Sequence, residues 1–431
     1  MRVLIVGGGA REHALAWKIQ QSPLLTELIA APGNPGIAAF AKCHPVKAND
    51  LDGQVELAVN ERIDLVVVGP EDPLAGGLVD RLGEAGILAF GPNAAAARLE
   101  ASKAFSKPFM RRHGIPTGDY EVHHTLESAL DALKRWPLPL VVKADGLAVG
   151  KGVTIAHSRE EAEKAVRRCM VERIFGAQGA TVVFEEFLDG EEVSLIGLSD
   201  GKKVIALAPA EDHKAVFDGD MGPNTGGMGC FSPVPALSAT LAREVAVTVL
   251  QRAVDAMAAE GSPFRGALFA GLILTAEGPK VLEFNARFGD PETEVILPRM
   301  KSDLLPVLRA CAEGCLTDEK LEWSDDAAVC VMLASGGYPG SYRTGLPIHG
   351  LAESGPTSGD GSMVIFHAGT AVVDGQVVTA GGRVLAVTAT GKTVEDAIRS
   401  AYESADRISF EGLHRRSDIG RRKGSGVRGL A

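Results

Sequence analysis

The chain has 431 residues, 45% of them hydrophobic and 23% charged, and a formal net charge of −11. That length allows about three domains of ordinary globular composition. The acidic balance excludes a broad electrostatic footprint for nucleic acid and leaves phosphate binding to locally placed amides and cations. No apolar run reaches the ~18 residues of a spanning helix, and Arg2–Val6 is too short for the apolar core of a secretion signal. The six cysteines form no CxxC pair. Without a disulfide framework, and with Cys311 and Cys315 read as small buried hydrophobes, they fit a reducing, cytoplasmic setting.

The N-terminal part alternates strand and helix signals. Strands are expected at Val3–Val6, Leu28–Ala31, Leu65–Gly69 and Leu88–Gly91, with helices such as Glu12–Gln21 and Ala75–Ala85 between them. Apolar strands separated by helices predict a parallel sheet covered on both faces, with ligands at the carboxyl ends of the strands. The first strand runs into Gly7-Gly8-Gly9 and then a helix. A dinucleotide fingerprint needs a third glycine and an acidic tip on the second strand. Glu12 stands at the first of these positions, and Ala30-Ala31-Pro32-Gly33 at the second. Both count against NAD. The loop is either a cradle for another phosphate or a plain tight turn.

From Lys103 the pattern changes. LPLVVKADGLAVGKGVTIA, residues 138–156, reads as two strands joined by a glycine-rich hairpin. A helix over Arg159–Met170 and a strand in TVVFEEFL, residues 181–188, follow. Residues 209–229 are polar, glycine-rich and without periodicity, which predicts a long functional loop. A helix over Leu237–Ala259 and strands around Gly266–Thr275 and Pro279–Phe284 come next. Beyond Asp325, strands in AAVCVMLASGGYPG, MVIFHAGT and GGRVLAVTAT precede a helix over Thr393–Ile408. Catalytic-looking charge is sparse there, so a closing, lid-like domain is expected. The basic end from Arg421 reads as a solvated tail.

Lys143 closes an apolar strand, and Lys151 lies between Gly150 and Gly152. Two cations and a permissive backbone suit a polyphosphate, although a strand-end lysine also snorkels from many cores. In Val182–Leu188, alternation turns one of Glu185 and Glu186 inward. The carboxylates that follow, up to Glu192, also fit a solvated turn. In KVLEFNARFGDPETE, a strand over Lys280–Ala286 puts Val281, Glu283 and Asn285 on one face, with Leu282 and Phe284 on the other. A carboxylate and an amide oxygen on one face suit Mg²⁺, which takes one or two protein oxygens beside phosphate and water. A solvent-exposed strand would alternate in the same way. Arg287 falls on that face as a fork for phosphate or carboxylate.

GGGAREHALAW, PGNPG, GPEDPLAGG, ASKAFSK, VVKADGLAVGKGV, EEFLDGEEVS, EDHK, GPNTGGMG, EFNARFGDPE and ASGGYPG stand in that order. From about residue 1 to about 420 the series resembles the phosphoribosylamine–glycine ligases (glycinamide ribonucleotide synthetases) of the ATP-grasp superfamily. The resemblance implies an α/β multidomain ATP-grasp fold. Its parts are a Rossmann-like parallel-sheet domain binding phosphoribosylamine (1–102), a central domain (103–117 and 190–325), a small flap subdomain (118–189) and a C-terminal α+β domain (326–420), before the basic tail (421–431). The implied reaction joins glycine to 5-phosphoribosylamine through a glycyl phosphate, with ATP and Mg²⁺ or Mn²⁺, in the second step of purine synthesis. The implied partners are these small molecules, without nucleic acid or membrane, and the implied state is a monomer or weak homodimer.

By matching positions, the resemblance makes Lys103 and Lys143 ATP phosphate contacts, with Gly150, Lys151 and Gly152 covering the triphosphate. Glu185, Glu186, Phe187 and Leu188 resemble the adenine hinge, and Glu192 the ribose carboxylate. Glu283 and Asn285 resemble the metal ligands. Arg287 and Asp290 fall in the phosphate and glycine region. Asp212, His213, Lys214, Asn224, Gly226, Gly227 and Met228 would shape the acceptor pocket. Among these, Arg287, Asp290, Asp212 and Lys214 are the catalytic candidates. Gly8, Gly9, Arg11, Glu12, Asn34 and Gly36 would contact phosphoribosylamine. Two positions depart from the family pattern: Ala215 replaces a basic residue after EDHK, and Arg415 stands where an aromatic is common.

Overall fold

A computed structural model of the chain describes residues 1–147, 152–174, 176–317, 320–351 and 362–421. Its first sheet contains β1 (Arg2–Gly7), β2 (Glu27–Pro32), β3 (Lys42–Cys43), β4 (Leu65–Val68) and β5 (Ala89–Phe90). All are parallel, in the order β3-β2-β1-β4-β5. Val3 and Ile5 enter one core while Leu4 and Val6 enter another. A strand covered on both faces must be apolar throughout, which is why β1 shows no alternation. The strand order reverses between β1 and β4, where the crevice of a doubly wound sheet opens. The helix expected over Ala75–Ala85 is two pieces, Glu71–Ala75 and Leu78–Glu84. Gly77, at φ +84°, interrupts it, since a left-handed residue cannot continue a right-handed helix.

β6 (Tyr120–His123), β7 (Leu140–Ala144), β8 (Val153–Ala156) and β9 (Val182–Glu186) form an antiparallel sheet in the order β6-β9-β7-β8. β7 and β8 flank the glycine-rich loop as expected. Gly150 and Lys151 lie outside the described residues. The helix Arg159–Met170 shares a core with this sheet and is capped by Ser158, which accepts from the Glu161 N–H.

β10 (Glu191–Asp200) and β11 (Val204–Ala206) follow. The segment expected as a loop holds three short strands instead, β12 (Glu211–Asp212), β13 (Ala215–Phe217) and β14 (Met221–Asn224), and its last residue opens β15 (Gly229–Ser232). β13 and β14 make a hairpin whose second strand is exposed, so no apolar period marks it. The expected helix Leu237–Ala259 begins at Ala239, after the Ser238 cap, and carries a π-turn over Ala246–Gln251. β16 (Arg265–Thr275) and β17 (Gly278–Asn285) complete the sheet β11-β10-β16-β17.

The remaining strands are β18 (Ala327–Ala334), β19 (Met363–His367), β20 (Thr370–Val373), β21 (Gln376–Thr379) and β22 (Arg383–Gly391). β12 and β15 join three of them in one sheet, β12-β15-β18-β22-β19. The polar segment is thus stitched into the C-terminal sheet. Val3, Ile196, Phe269, Cys330 and Ala386 belong to a single core that joins the N-terminal, central and C-terminal sheets. Cys311 is buried, but Cys315 is exposed, because Gly314 in the left-handed region ends the helix Leu304–Glu313 before it. No helix among the described residues is long and apolar enough to cross a membrane.

Candidate active site

β17 does not alternate as simply as expected. Its pairing with β16 skips Leu282, opposite the step from Gly271 to Leu272, which is a bulge. Val281 and Phe284, three residues apart, therefore both enter one core. Glu283 and Asn285 keep their shared side and line a cleft of about 350 Å³. The placing of Val281 beside them is corrected.

Lys103, Lys143, Gly152, Glu185, Glu186, Phe187, Leu188 and Glu192 line the same cleft, as do Arg11, Asp212, Lys214, Asn224, Gly226, Arg287 and Asp290. Burial pushes the Glu283 carboxyl up, but Lys214, Lys143 and Lys103 outweigh it and hold it down at about 2. It is an anion at neutral pH. Beside it the Asn285 Oδ1 accepts a 3.4 Å bond from Arg287 Nη2. Among the described residues, no group of three or more His, Cys, Asp or Glu could hold a metal. The anionic Glu283 carboxylate and the Asn285 amide oxygen are a donor pair that suits a hard cation completing its shell with phosphate and water.

Glu185 is the inward member of its pair. Its Oε2 is 2.7 Å from Lys107 Nζ and 2.9 Å from Lys143 Nζ. Sequence reasoning misses Lys107, although the signal is present. Lys103 and Lys107 are four apart on the helix Lys103–Arg112 and so share a face. Lys103 Nζ donates to the Gly146 carbonyl at 3.1 Å, tethering the approach to the glycine loop.

At the other end, Arg287 lies 3.1 Å from both Glu71 and Glu100, and Arg11 lies 3.8 Å from Glu71. Burial raises both carboxyls. Arg287 and Arg11 reverse this for Glu71, to about 2, while Glu100 stays up at about 7. Arg383 is a second residue that sequence reasoning misses, because it comes from the part expected to be a lid. It lies 3.1 Å from Asp290 and donates to the Gly226 and Asp290 carbonyls at 2.6 and 3.0 Å. Lys214 pairs with Glu192 at 2.9 Å. The Asp212 Oδ1 is buried without a hydrogen-bond partner, and burial together with Glu292 raises its carboxyl well above the usual range.

Two expectations change. His213 turns away from Asp212 and Lys214, and its Nε2 accepts from the Gly420 N–H at 3.1 Å. It therefore leaves the acceptor pocket. The Met228 side chain is fully buried with Val216 and Ala334, so it serves a core. The Gly7–Gly9 loop is already engaged: Glu12 Oε2 accepts from the Gly9 N–H at 2.6 Å, and its Oε1 from Arg11 at 2.6 Å. Any side chain on Gly69 would begin 2.2 Å from Glu12 Oε1. Glu12 thus fills the crevice at the switch point with a carboxylate, where a dinucleotide would need room for its pyrophosphate. A phosphate at this helix start would compete with Glu12 for the Gly9 amide.

Gly8, Gly9, Glu12, Asn34 and Gly36 do not line the cleft; a Cβ on Gly9 would be 3.7 Å from Asp290 Oδ2, whereas one on Gly36 would meet His13 and His367. Asn34 Nδ2 donates to the carbonyls of Gly8 (3.0 Å) and His367 (2.7 Å). Gly227 sits against Asp212. At the two departures, Arg416 Nη1 donates to the Ala215 carbonyl at 3.1 Å, so a cation stands beside that position. Arg415 lies over the Tyr402 ring, 5.6 Å from its centroid.

Three models of one family match in sequence order. They are described as Phosphoribosylglycinamide synthetase N domain (residues 1–100), ATP-grasp (A) domain (101–293) and C domain (328–422). The chain is 50% identical over 420 residues to a phosphoribosylamine–glycine ligase of Agrobacterium fabrum, covering 97% of this chain and 98% of that protein. It is 48% identical over 424 residues to that of Escherichia coli, with 97% and 98% covered. A crystal structure of a phosphoribosylamine–glycine ligase from Thermotoga maritima superposes with a TM-score of 0.84 at 36% identity, over 97% of this chain and 100% of that one. A biotin carboxylase from Campylobacter jejuni shares the fold, with a TM-score of 0.76 at 15% identity over 96% and 92% of the chains. Since the matches run nearly end to end and enclose every wall of the cleft, the chain belongs to the phosphoribosylglycinamide synthetase family and carries its ATP-grasp fold.

Proposed function

We propose that the chain ligates glycine to 5-phosphoribosylamine, producing glycinamide ribonucleotide, ADP and phosphate in the second step of purine synthesis. The observation that carries this reading is one cleft uniting buried lysines, the anionic Glu283 with Asn285, and Arg287, in a chain half identical to such ligases along its length. The setting proposed is the cytoplasm, with small molecules as the partners and a monomer or weak homodimer as the working state.

A carboxylate is a poor acyl donor because its leaving group would be an oxide. One glycine oxygen therefore attacks the γ-phosphorus of ATP, ADP leaves, and glycyl phosphate results. The amine then attacks the carbonyl carbon. A C–N bond forms, the C–O bond to phosphate breaks, and the nitrogen gives up a proton. The charge gathered before the amide forms makes positioning and electrostatics the main contributions.

Lys103 and Lys143 hold the ATP phosphates, under the loop that contains Gly150, Lys151 and Gly152. The Glu185–Leu188 backbone seats adenine, and Glu192 meets the ribose. Glu283 and Asn285 would hold the divalent cation, Mg²⁺ or in its place Mn²⁺, which neutralises phosphate charge when bound. Arg287, Asp290 and Arg383 orient glycine and its phosphate. Asp212 and Lys214 line the side of the cleft proposed for the amine, and the departing phosphate takes the proton that the amine releases. Arg11 and the loop around Gly8 and Asn34 receive phosphoribosylamine. The flap keeps water from the acyl phosphate.

The test is ADP release with ATP, Mg²⁺, glycine and phosphoribosylamine omitted in turn. Sustained turnover is expected only with all four. ADP release indifferent to phosphoribosylamine would overturn the reading.

A further inference from the structure

Two lysines share one carboxylate oxygen at the cleft wall. Lys107 and Lys143 lie 2.7 and 2.9 Å from Glu185 Oε2, and all three residues are buried. Among the described residues, the Glu185 Oε1 has no hydrogen-bond partner. In direct contact one anion thus answers two cations, with the Glu283 carboxylate acting on both lysines from farther off. Phosphate binding by Lys143 does not by itself require a second lysine behind it.

The electrostatics of the exchange supply the reason. A buried carboxylate with a single partner holds that partner, because separation would leave a charge unpaired in a poorly solvated place. If Glu185 had only Lys143, every ATP molecule would have to break that pair. Lys107 has cause to stay behind. Its ammonium also donates to Thr117 Oγ1 at 3.0 Å, and that hydroxyl donates to the Val281 carbonyl at 2.7 Å. Among the described residues, the second contact of Lys143 is a long one, 3.4 Å to the Leu282 carbonyl.

We propose that Lys107 is a positioning residue for nucleotide binding: a fixed counter-ion that keeps Glu185 neutralised while Lys143 exchanges the carboxylate for an ATP phosphate. Glu185 is then the resting place of Lys143 in the ligand-free protein. The inference rests on the ATP site proposed above.

The test uses the full chain, a non-hydrolysable ATP analogue with Mg²⁺, and steady-state kinetics. Lys107→Met is expected to weaken analogue binding about tenfold or more and to raise KM for ATP in parallel, with KM for glycine and kcat changed less than about threefold. Adding Glu185→Gln removes the carboxylate that would trap Lys143. The double variant is expected to recover most of the affinity that K107M loses. A merely structural lysine would not be rescued in this way. Wild-type affinity in K107M, or a double variant as weak as K107M, would overturn the inference. Should K107M melt below the assay temperature, the double variant decides by itself, since it also lacks a cation at position 107. Lys143→Met separates the two readings. Undiminished binding there would overturn the phosphate role of Lys143 and this inference with it. Weakened binding there, with an unrescued double variant, would overturn this inference alone.

Discussion

Glu294 has both carboxylate oxygens buried without a hydrogen-bond partner. Burial, with Asp290 next, raises its carboxyl well above the ordinary 4.5, which favours the neutral acid in the fold. A raised acid favours the native state fully below the unfolded value and loses that contribution as pH rises toward the folded one. Glu294→Gln is therefore expected to stabilise the protein by about 2 kcal/mol at pH 8 and by almost nothing near pH 4; urea melts at both pH values measure this. Glu283 is the opposite case, an anion that the cations around it keep charged. Glu283→Gln is expected to lower kcat/KM at least about a hundredfold through loss of the cation, with little change in melting temperature. An unaltered rate would remove Glu283 from the metal. Glu283 and Lys143 are legible in the sequence because a strand end and a period of two say where they point. Lys107 and Arg383 are harder, since their partners come from segments distant along the chain.

At the scale of elements, the segment 209–229 defeats periodicity because its strands are two to four residues long and its hairpin is exposed. Its importance is that Asp212, Asn224 and the Gly226–Gly227 turn reach the cleft from it. Gly227 has φ +116°, and a Cβ there would meet Pro291 Cδ at 2.4 Å and Asp212 Oδ1 at 2.6 Å. Gly227→Ala is expected to cost about 1–3 kcal/mol and to displace Asp212. A thermal melt and the rate of amide formation check it. Arg383 holds this turn from β22. Arg383→Lys keeps the charge but loses the fork, so KM for glycine is expected to rise about tenfold while ATP-analogue affinity is unchanged. An unchanged KM for glycine would leave Arg383 a purely structural tie.

Across the whole molecule, the N-terminal sheet is tied to the C-terminal one through His13. Its Nδ1 accepts from the His367 N–H at 2.8 Å. Burial lowers His13 to about 3 and His367 to about 4, from an ordinary 6.5. Both are neutral in the fold. A depressed base contributes stability above its unfolded value and loses it as pH falls toward the folded one. Stability is expected to decline from pH 6.5 toward about 3, the folded value of His13. His13→Asn keeps an acceptor without a titrating ring and should flatten that decline in denaturant melts. An equally steep loss would place the acid sensitivity elsewhere.

The sequence by itself determined the alternating elements, the parallel first sheet, the hairpin strands, the Glu283–Asn285 pair and the family. These depend on local period, capping and the order of short motifs, which survive without coordinates. Only the tertiary structure decided that Glu12 closes the crevice to a dinucleotide, that a bulge sets Val281 apart from Glu283, and that His213 turns away from Lys214. It alone joined β12 and β15 to the C-terminal sheet and brought Lys107 and Arg383 to the cleft. The physical reason is that a charge in an interior is governed by its counter-charges, and here those are supplied by segments far apart in the chain.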